Sequence, residues 1–311
     1  MSEKIAIRDA FGAALKKLGE QNEKVVVLDA DVGSSSKSIV FGKAFPERYF
    51  NVGIAELNMT AMSAGFALSG MIPFVNTFAT FITTRALDPV VSLIAYDHLN
   101  VKLCGAYSGL SDSYDGASHH SLTDIACVRS LPGMTVIVVS DAVETEKAVF
   151  AATKLNGPVY LRLSRAPVPV IYPQDMDFKI GKGIVLREGS DIAILATGYM
   201  VHKALDAAKI LEAKGIQARV ADIHTIRPID RKLLLESAKK CGRILTVEEH
   251  HKDGGLGSSV CEVLSETCPV PVCRMGIEDF SESGDYEQIL KKAGLDSETI
   301  AAKAEMLIQP F

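Results

Sequence analysis

The chain has 311 residues, 48% hydrophobic and 23% charged, which is enough for two domains of ordinary size with sizeable cores. A net charge of −5 argues against the basic face that nucleic-acid binding needs, and no apolar run reaches the roughly 18 residues of a membrane span. Met1-Ser2-Glu3-Lys4 lacks the basic-then-apolar order of a signal peptide, and six scattered cysteines without CxxC spacing read as reduced thiols in a cytoplasmic protein rather than as a metal site.

Strand-like and helix-like stretches alternate along the chain. Residues 8–18 place apolar side chains at helical spacing, and 24–28 (KVVVL) form a β-branched run leading into Asp29-Ala30-Asp31. Residues 59–68 are rich in small side chains and predict a buried helix. Residues 134–139 predict a strand, with Ser140-Asp141 as the cap of a helix whose first turns hold Glu144 and Glu146. Residues 158–163 predict a further strand. Beyond Gly189, strands are expected at 191–195, 217–222 and 243–247, with helices at 198–214 and 229–239. Residues 166–187 hold Pro167, Pro169 and Pro173 and read as a linker. The expectation is two α/β units, 1–165 and 188–311, each a doubly wound, mostly parallel sheet.

Four stretches carry side chains suited to chemistry. In FNVGIAELNMTAMSAG (50–65), Glu56 is one carboxylate among apolar and small residues. It reads either as an ordinary helix N-terminal acid or as a desolvated proton donor. In PFVNTFATFITTR (73–85), Phe78 and Phe81 are spaced as core residues or as an aromatic platform. SGLSDSYDGASHHSLT (108–123) is either a solvated loop or a site loop at a strand end. YLRLSR (160–165) ends a strand on Arg165, a solvated terminus or an anion clamp. GGLGSSV (254–260) looks like a dinucleotide loop but lacks the third glycine, and reads as structural.

In this order the motifs resemble the C-terminal half of transketolase, and more loosely that of 1-deoxyxylulose-5-phosphate synthase. LDADVG (28–33), NVGIAE (51–56), DGASHH (115–120), LPGM (131–134), LSR (163–165) and FSESG (280–284) spread the resemblance over nearly the whole chain. It implies a thiamine-diphosphate-binding pyrimidine domain followed by a transketolase C-terminal domain. By resemblance, Glu56 is the acid at the aminopyrimidine nitrogen, Phe81 the stacking aromatic with Phe78 beside it, and Asp31 an aspartate near the cofactor. His119 and Asp115 match substrate-channel residues, His119 acting at the reacting carbons. Arg8, Ser35 and Arg165 match sugar-phosphate ligands. Tyr107 stands where the family commonly has histidine, and Ala117-Ser118 where it has Pro-Thr, which leaves the acceptor end of the channel open.

The family's GDG motif, part of the Mg²⁺ and diphosphate site, does not occur in this sequence. The resemblance therefore implies that the Mg²⁺ ligands lie on a separate N-terminal partner subunit, and that the complex is a dimer of heterodimers. The activity implied is transfer of a two-carbon ketol unit between sugar phosphates. The alternatives are a deoxyxylulose-phosphate-synthase-like half, the β-subunit of a 2-oxo acid dehydrogenase's decarboxylating component, and a non-catalytic protein on the same scaffold. Glu56, His119 and Arg165 together speak against the last.

Overall fold

The computed structural model describes residues 4–309. Its first sheet has seven strands in the order Thr225–Arg227, Thr135–Val138, Val159–Leu163, Lys102–Ala106, Ile72–Phe78, Val25–Asp29 and Tyr49–Asn51. Every pairing in it is parallel except that of Thr225–Arg227 with Thr135–Val138. The β-branched run expected as a strand lies one in from the edge, between Ile72–Phe78 and Tyr49–Asn51, with all five residues buried, as befits a strand covered by helices on both faces. Helix Ile7–Gln21 buries Ile7, Phe11, Ala14, Leu15 and Leu18, one stripe at helical spacing, against the sheet.

The second sheet has five strands, in the order Val272–Ile277, Ile244–His251, Ile192–Ala196, Ala218–Asp222 and Ile184–Arg187. Only Ile184–Arg187 runs antiparallel. Helix Met200–Glu212 packs its buried face on this sheet together with helix Ser297–Ile308.

Three features depart from the sequence expectation. The stretch 166–187 is not a plain linker. Pro167–Pro169 pairs with Lys4–Ala6, and Ile184–Arg187 is an edge strand of the second sheet, a place where prolines upstream do no harm. Helix Glu56–Leu68 is buried on one face only, with Leu57 and Leu68 more than half exposed. Glu144 is not a solvent-facing dipole acid. Asp141 caps helix Ala142–Lys154 by accepting from the Glu144 amide at 2.8 Å, as expected, but the Glu144 carboxylate is fully buried. It accepts from the Ser140 amide and hydroxyl at 2.6 and 2.8 Å.

Buried polar contacts join the two sheets. Arg162 pairs with Asp124 at 2.7 Å and donates to the Glu249 carbonyl at 2.9 Å. Tyr172 donates to Asp222 at 2.9 Å, and the Ser140 hydroxyl bridges the Asp222 and Glu144 carboxyls, 2.8 Å from each. The glycine-rich turn at 254–257 is occupied from within: Glu248 accepts from the Leu256 and Gly257 amides at 2.7 and 2.8 Å. A Cβ on Gly255 would meet the Glu248 carboxylate at 1.9 Å, so this helix N-terminus is closed to a phosphate.

Candidate active site

In a parallel sheet the loops beyond the carboxyl ends of the strands build the site. Asp31 follows Val25–Asp29, Phe78 ends Ile72–Phe78, Tyr107 follows Lys102–Ala106, and Arg165 follows Val159–Leu163. Glu56 opens the helix after Tyr49–Asn51. Sheet topology thus carries residues distant in sequence to one edge.

Glu56 is 6% exposed and its carboxylate accepts from Arg85 Nη1 at 3.1 Å. The Arg85 guanidinium lies 3.8 Å over the Phe81 ring. Phe81 and Phe78 are 5.6 Å apart between ring centroids, and the His119 ring meets both edge-on, at 5.2 and 5.9 Å. Tyr107 stacks on Phe78 at 4.7 Å. Glu56, Phe78, Phe81 and His119 therefore form one chain of contacts, with Tyr107 at its far end.

Tyr107 continues the chain into a basic pocket. Its backbone is left-handed, with φ of 57°, a conformation that is costly for an aromatic residue and more often kept at sites than elsewhere. Its hydroxyl is bonded to Arg8 Nη1, and the Arg8 and Arg165 guanidinium carbons lie 5.4 and 5.1 Å from its ring centroid. A cavity of about 460 Å³ opens here, lined by Lys4, Arg8, Ser111, Ser113, Arg165 and Tyr286 among others. Asp112, 1% exposed, pairs with Arg165 at 3.3 Å. Burial, then the nearby Asp115, push its carboxyl up to about 6.

The loop after Tyr107 is not solvated along its first half: residues 108–113 are buried. The second unit pins it by main-chain groups. Glu249 accepts from the Leu110 amide at 2.6 Å, the Gly284 amide donates to the Ser113 carbonyl at 3.0 Å, and the His251 amide donates to the Leu122 carbonyl at 2.8 Å.

The expected site residues are not all equally drawn in. Ser35 meets Arg8 through its carbonyl oxygen, at 3.4 Å. Asp31 is exposed, with φ of 64°, and accepts from Asn51 at 2.9 Å; the next residue, Val32, packs on the Phe78–Tyr107 cluster. Asp115 is exposed, beside Asp112. Sequence reasoning did not single out Arg85, Asp112 or Glu249. Arg85 closes the Phe78–Phe81 stretch, and an arginine four residues past a ring on a helical turn was the available signal. Nothing local marks the other two, because their partners are remote in sequence. Among the described residues no three His, Cys, Asp or Glu side chains gather as a cation site.

Residues 3–170 match the family model "Transketolase, pyrimidine binding domain", and residues 181–300 match "Transketolase, C-terminal domain". The chain belongs to the transketolase family. It is 39% identical over 299 residues to a 6-deoxy-6-sulfo-D-fructose transketolase subunit of Clostridium sp. strain MSTE9, covering 96% of this chain and 93% of that one. It is 38% identical over 312 residues to human transketolase, covering 99% of this chain but 50% of the human protein. A solved structure described as a split-gene transketolase, an inactive β4 tetramer, superposes with a TM-score of 0.91 at 45% identity, over 98% of this chain and 99% of that one. The family uses thiamine diphosphate, and this transketolase-type chain has the extent of a C-terminal subunit.

Proposed function

We propose that the chain is the C-terminal subunit of a thiamine-diphosphate-dependent transketolase, holding the cofactor's pyrimidine ring and the substrate's anionic end while a separate N-terminal subunit holds the diphosphate through Mg²⁺. The observation that carries this reading is the unbroken contact chain from Glu56 through Arg85, Phe81 and His119 to Phe78, Tyr107 and the two pocket arginines. It supplies an acid, a ring platform, a polar ring at the reacting position and an anion clamp, in that order.

The donor set fits the pyrimidine end of the cofactor. Phe78 and Phe81 give an aromatic face, and Glu56 is a buried carboxyl beside it. When bound, thiamine diphosphate supplies the carbanion that breaks and makes the carbon–carbon bond beside the ketose carbonyl. Glu56 would hold a proton at the ring nitrogen opposite the amino group. Arg85, with its side chain half exposed, is free to yield its place at the carboxyl to that nitrogen. His119 would hydrogen-bond the hydroxyl and carbonyl at the reacting carbons, with Asp115 reading a sugar hydroxyl. Arg8, Arg165 and Ser35 would hold the terminal oxyanion, for which paired guanidinium forks are suited. Asp31, exposed next to Asn51, would face the cofactor or the partner.

The partner reading is supported by the surface around Glu56. Ile54 and Leu57 are 76% and 55% exposed, and the helical turn Val90–Ala95, packed on the same helix, exposes Val91 and Leu93. Apolar residues exposed around a site mark an interface. The structural neighbour is described as an inactive tetramer of β chains, which agrees with a subunit inactive by itself. The expected assembly is two copies of each subunit in the cytoplasm, acting on sugar phosphates, with no nucleic acid or membrane involved. The test is reconstitution: this chain, an N-terminal transketolase subunit, Mg²⁺ and thiamine diphosphate should together transfer the ketol unit from xylulose 5-phosphate to ribose 5-phosphate. A reconstituted complex that binds the cofactor but transfers nothing between sugar phosphates would overturn the substrate assignment.

A further inference from the structure

We infer that Asp112 is a specificity-determining residue of the basic pocket: its carboxylate is a built-in counter-anion that competes with the substrate's terminal oxyanion for Arg165. This rests on the reading of that pocket as the seat of the substrate's anionic end. The carboxylate is 1% exposed, and its Oδ1 accepts from Arg165 Nη1 at 3.3 Å. Its Oδ2 is buried with no hydrogen-bond partner.

A carboxylate whose task is to anchor a loop gives its oxygens to backbone amides, as Glu248 does with Leu256 and Gly257. Asp112 makes its side-chain pairing with a guanidinium of the pocket wall instead. Arg165 has other contacts as well. The Arg165 amide donates to Ser111 Oγ at 3.1 Å, and the guanidinium lies against the Tyr107 ring. What Asp112 adds is a buried negative charge against the clamp's guanidinium, and an oxyanion arriving there meets a guanidinium already partly neutralised.

The charge on Asp112 is set first by its burial and then by the groups around it: Asp115 and His119 from its own loop, and Arg165 from the end of strand Val159–Leu163. The Tyr107 ring lies 5.1 Å from the Arg165 guanidinium carbon. The ligand class that follows is a sugar ending in a tetrahedral oxyanion, phosphate ester or sulfonate, held by exchange with Asp112 rather than by capture on a free cation. Such a clamp trades affinity for release, which suits an enzyme that must let one sugar go and take another at the same seat.

The test uses inorganic sulfate, a tetrahedral dianion whose charge is constant near neutrality, titrated calorimetrically into the full chain. Asp112→Asn keeps an oxygen for Arg165 and removes the charge. It should tighten sulfate binding on the order of 10-fold near pH 8, one unit charge having been removed within a few ångströms of the ligand. The gain should shrink as pH falls through about 6, where the parent's own carboxyl takes up a proton. Asp112→Ser provides a second, smaller side chain. Unchanged or weaker binding in both variants, each folded by circular dichroism, overturns the role, because a purely structural aspartate can only lose affinity on replacement. If Arg165→Ala binds sulfate as the parent does, the pocket is not the anion seat, and the substrate reading falls with the inference.

Discussion

Arg85 donates to Glu56 at 3.1 Å while its guanidinium lies 3.8 Å over Phe81, so one cation ties the buried acid to the aromatic face beside it. This arrangement leaves Glu56 a single side-chain partner that solvent can reach and a ring nitrogen can replace. Glu56→Gln preserves the shape and the hydrogen bond but cannot hold an exchangeable proton at the ring nitrogen. Turnover of the reconstituted complex should fall on the order of 10²–10⁴-fold, the usual cost of losing a proton-transfer group, with the fold intact by circular dichroism. Parental turnover in this variant would remove Glu56 from the chemistry.

Arg165→Ala should act on binding. A charge-assisted contact to a remote anion is shared by ground and transition states, so KM for phosphorylated sugars should rise more than turnover falls. The ratio of KM for xylulose 5-phosphate to KM for hydroxypyruvate, which carries no phosphate, should climb on the order of 10-fold or more. Equal damage to both donors would show that Arg165 does not hold phosphate.

His119→Ala should give the opposite pattern. Its ring sits against both phenylalanines, the proposed seat of the reacting carbons, so turnover should drop with every donor, hydroxypyruvate included. Steady-state rates with the two donors are the comparison, and a variant that handles hydroxypyruvate at the parental rate would place His119 outside the reaction.

On the proposed reading, in which this chain holds only the ring end of the cofactor, the chain alone should bind thiamine diphosphate weakly and transfer nothing. Calorimetry with and without the N-terminal subunit should show binding that appears on mixing. The buried interface should exceed ~2,000 Å², as obligate pairs do. Full activity from this polypeptide by itself would refute the divided site.

Asp222 offers a prediction about stability. Burial pushes its carboxyl up to about 7, partly offset by the hydroxyls of Ser140 and Tyr172, and Glu144 beside it is held far above the ordinary range. A folded carboxyl that binds its proton more tightly than the unfolded one stabilises at low pH, and that contribution is lost as pH rises from about 4 through 7. Asp222→Asn has no proton to lose. Its stability relative to the parent should therefore improve with pH across this window, by at most about 1.4 kcal/mol per pH unit, as read by urea unfolding at several pH values. A difference that does not vary with pH would show that Asp222 is ionised throughout.

Local pattern made much of the architecture legible. The KVVVL run and the apolar stripe of helix Ile7–Gln21 are periodic and self-contained, and they form where periodicity puts them. Glu56 and the phenylalanine pair are locally ambiguous, readable also as a helix acid and a core pair, and only the resemblance of the ordered motifs assigns them to a site. Asp112 and Glu249 gave no local signal: one serine-and-aspartate loop looks like another until a strand 139 residues away supplies Glu249 to the Leu110 amide. The stretch 166–187 misled for the converse reason. Its prolines suppress periodicity, yet its two short strands pair at sheet edges, where a missing amide is no loss.

Strand Thr225–Arg227 leaves the second unit to lie along Thr135–Val138, at the outer border of the first sheet. That border is otherwise a row of unsatisfied amides and carbonyls on a buried, Val- and Ile-rich strand. A fragment ending near residue 165 would bare it to any passing strand, including its own copies. The C-terminal unit is thus also a guard against self-association, and the first unit expressed without it is expected to precipitate rather than to wait, soluble, for its cofactor.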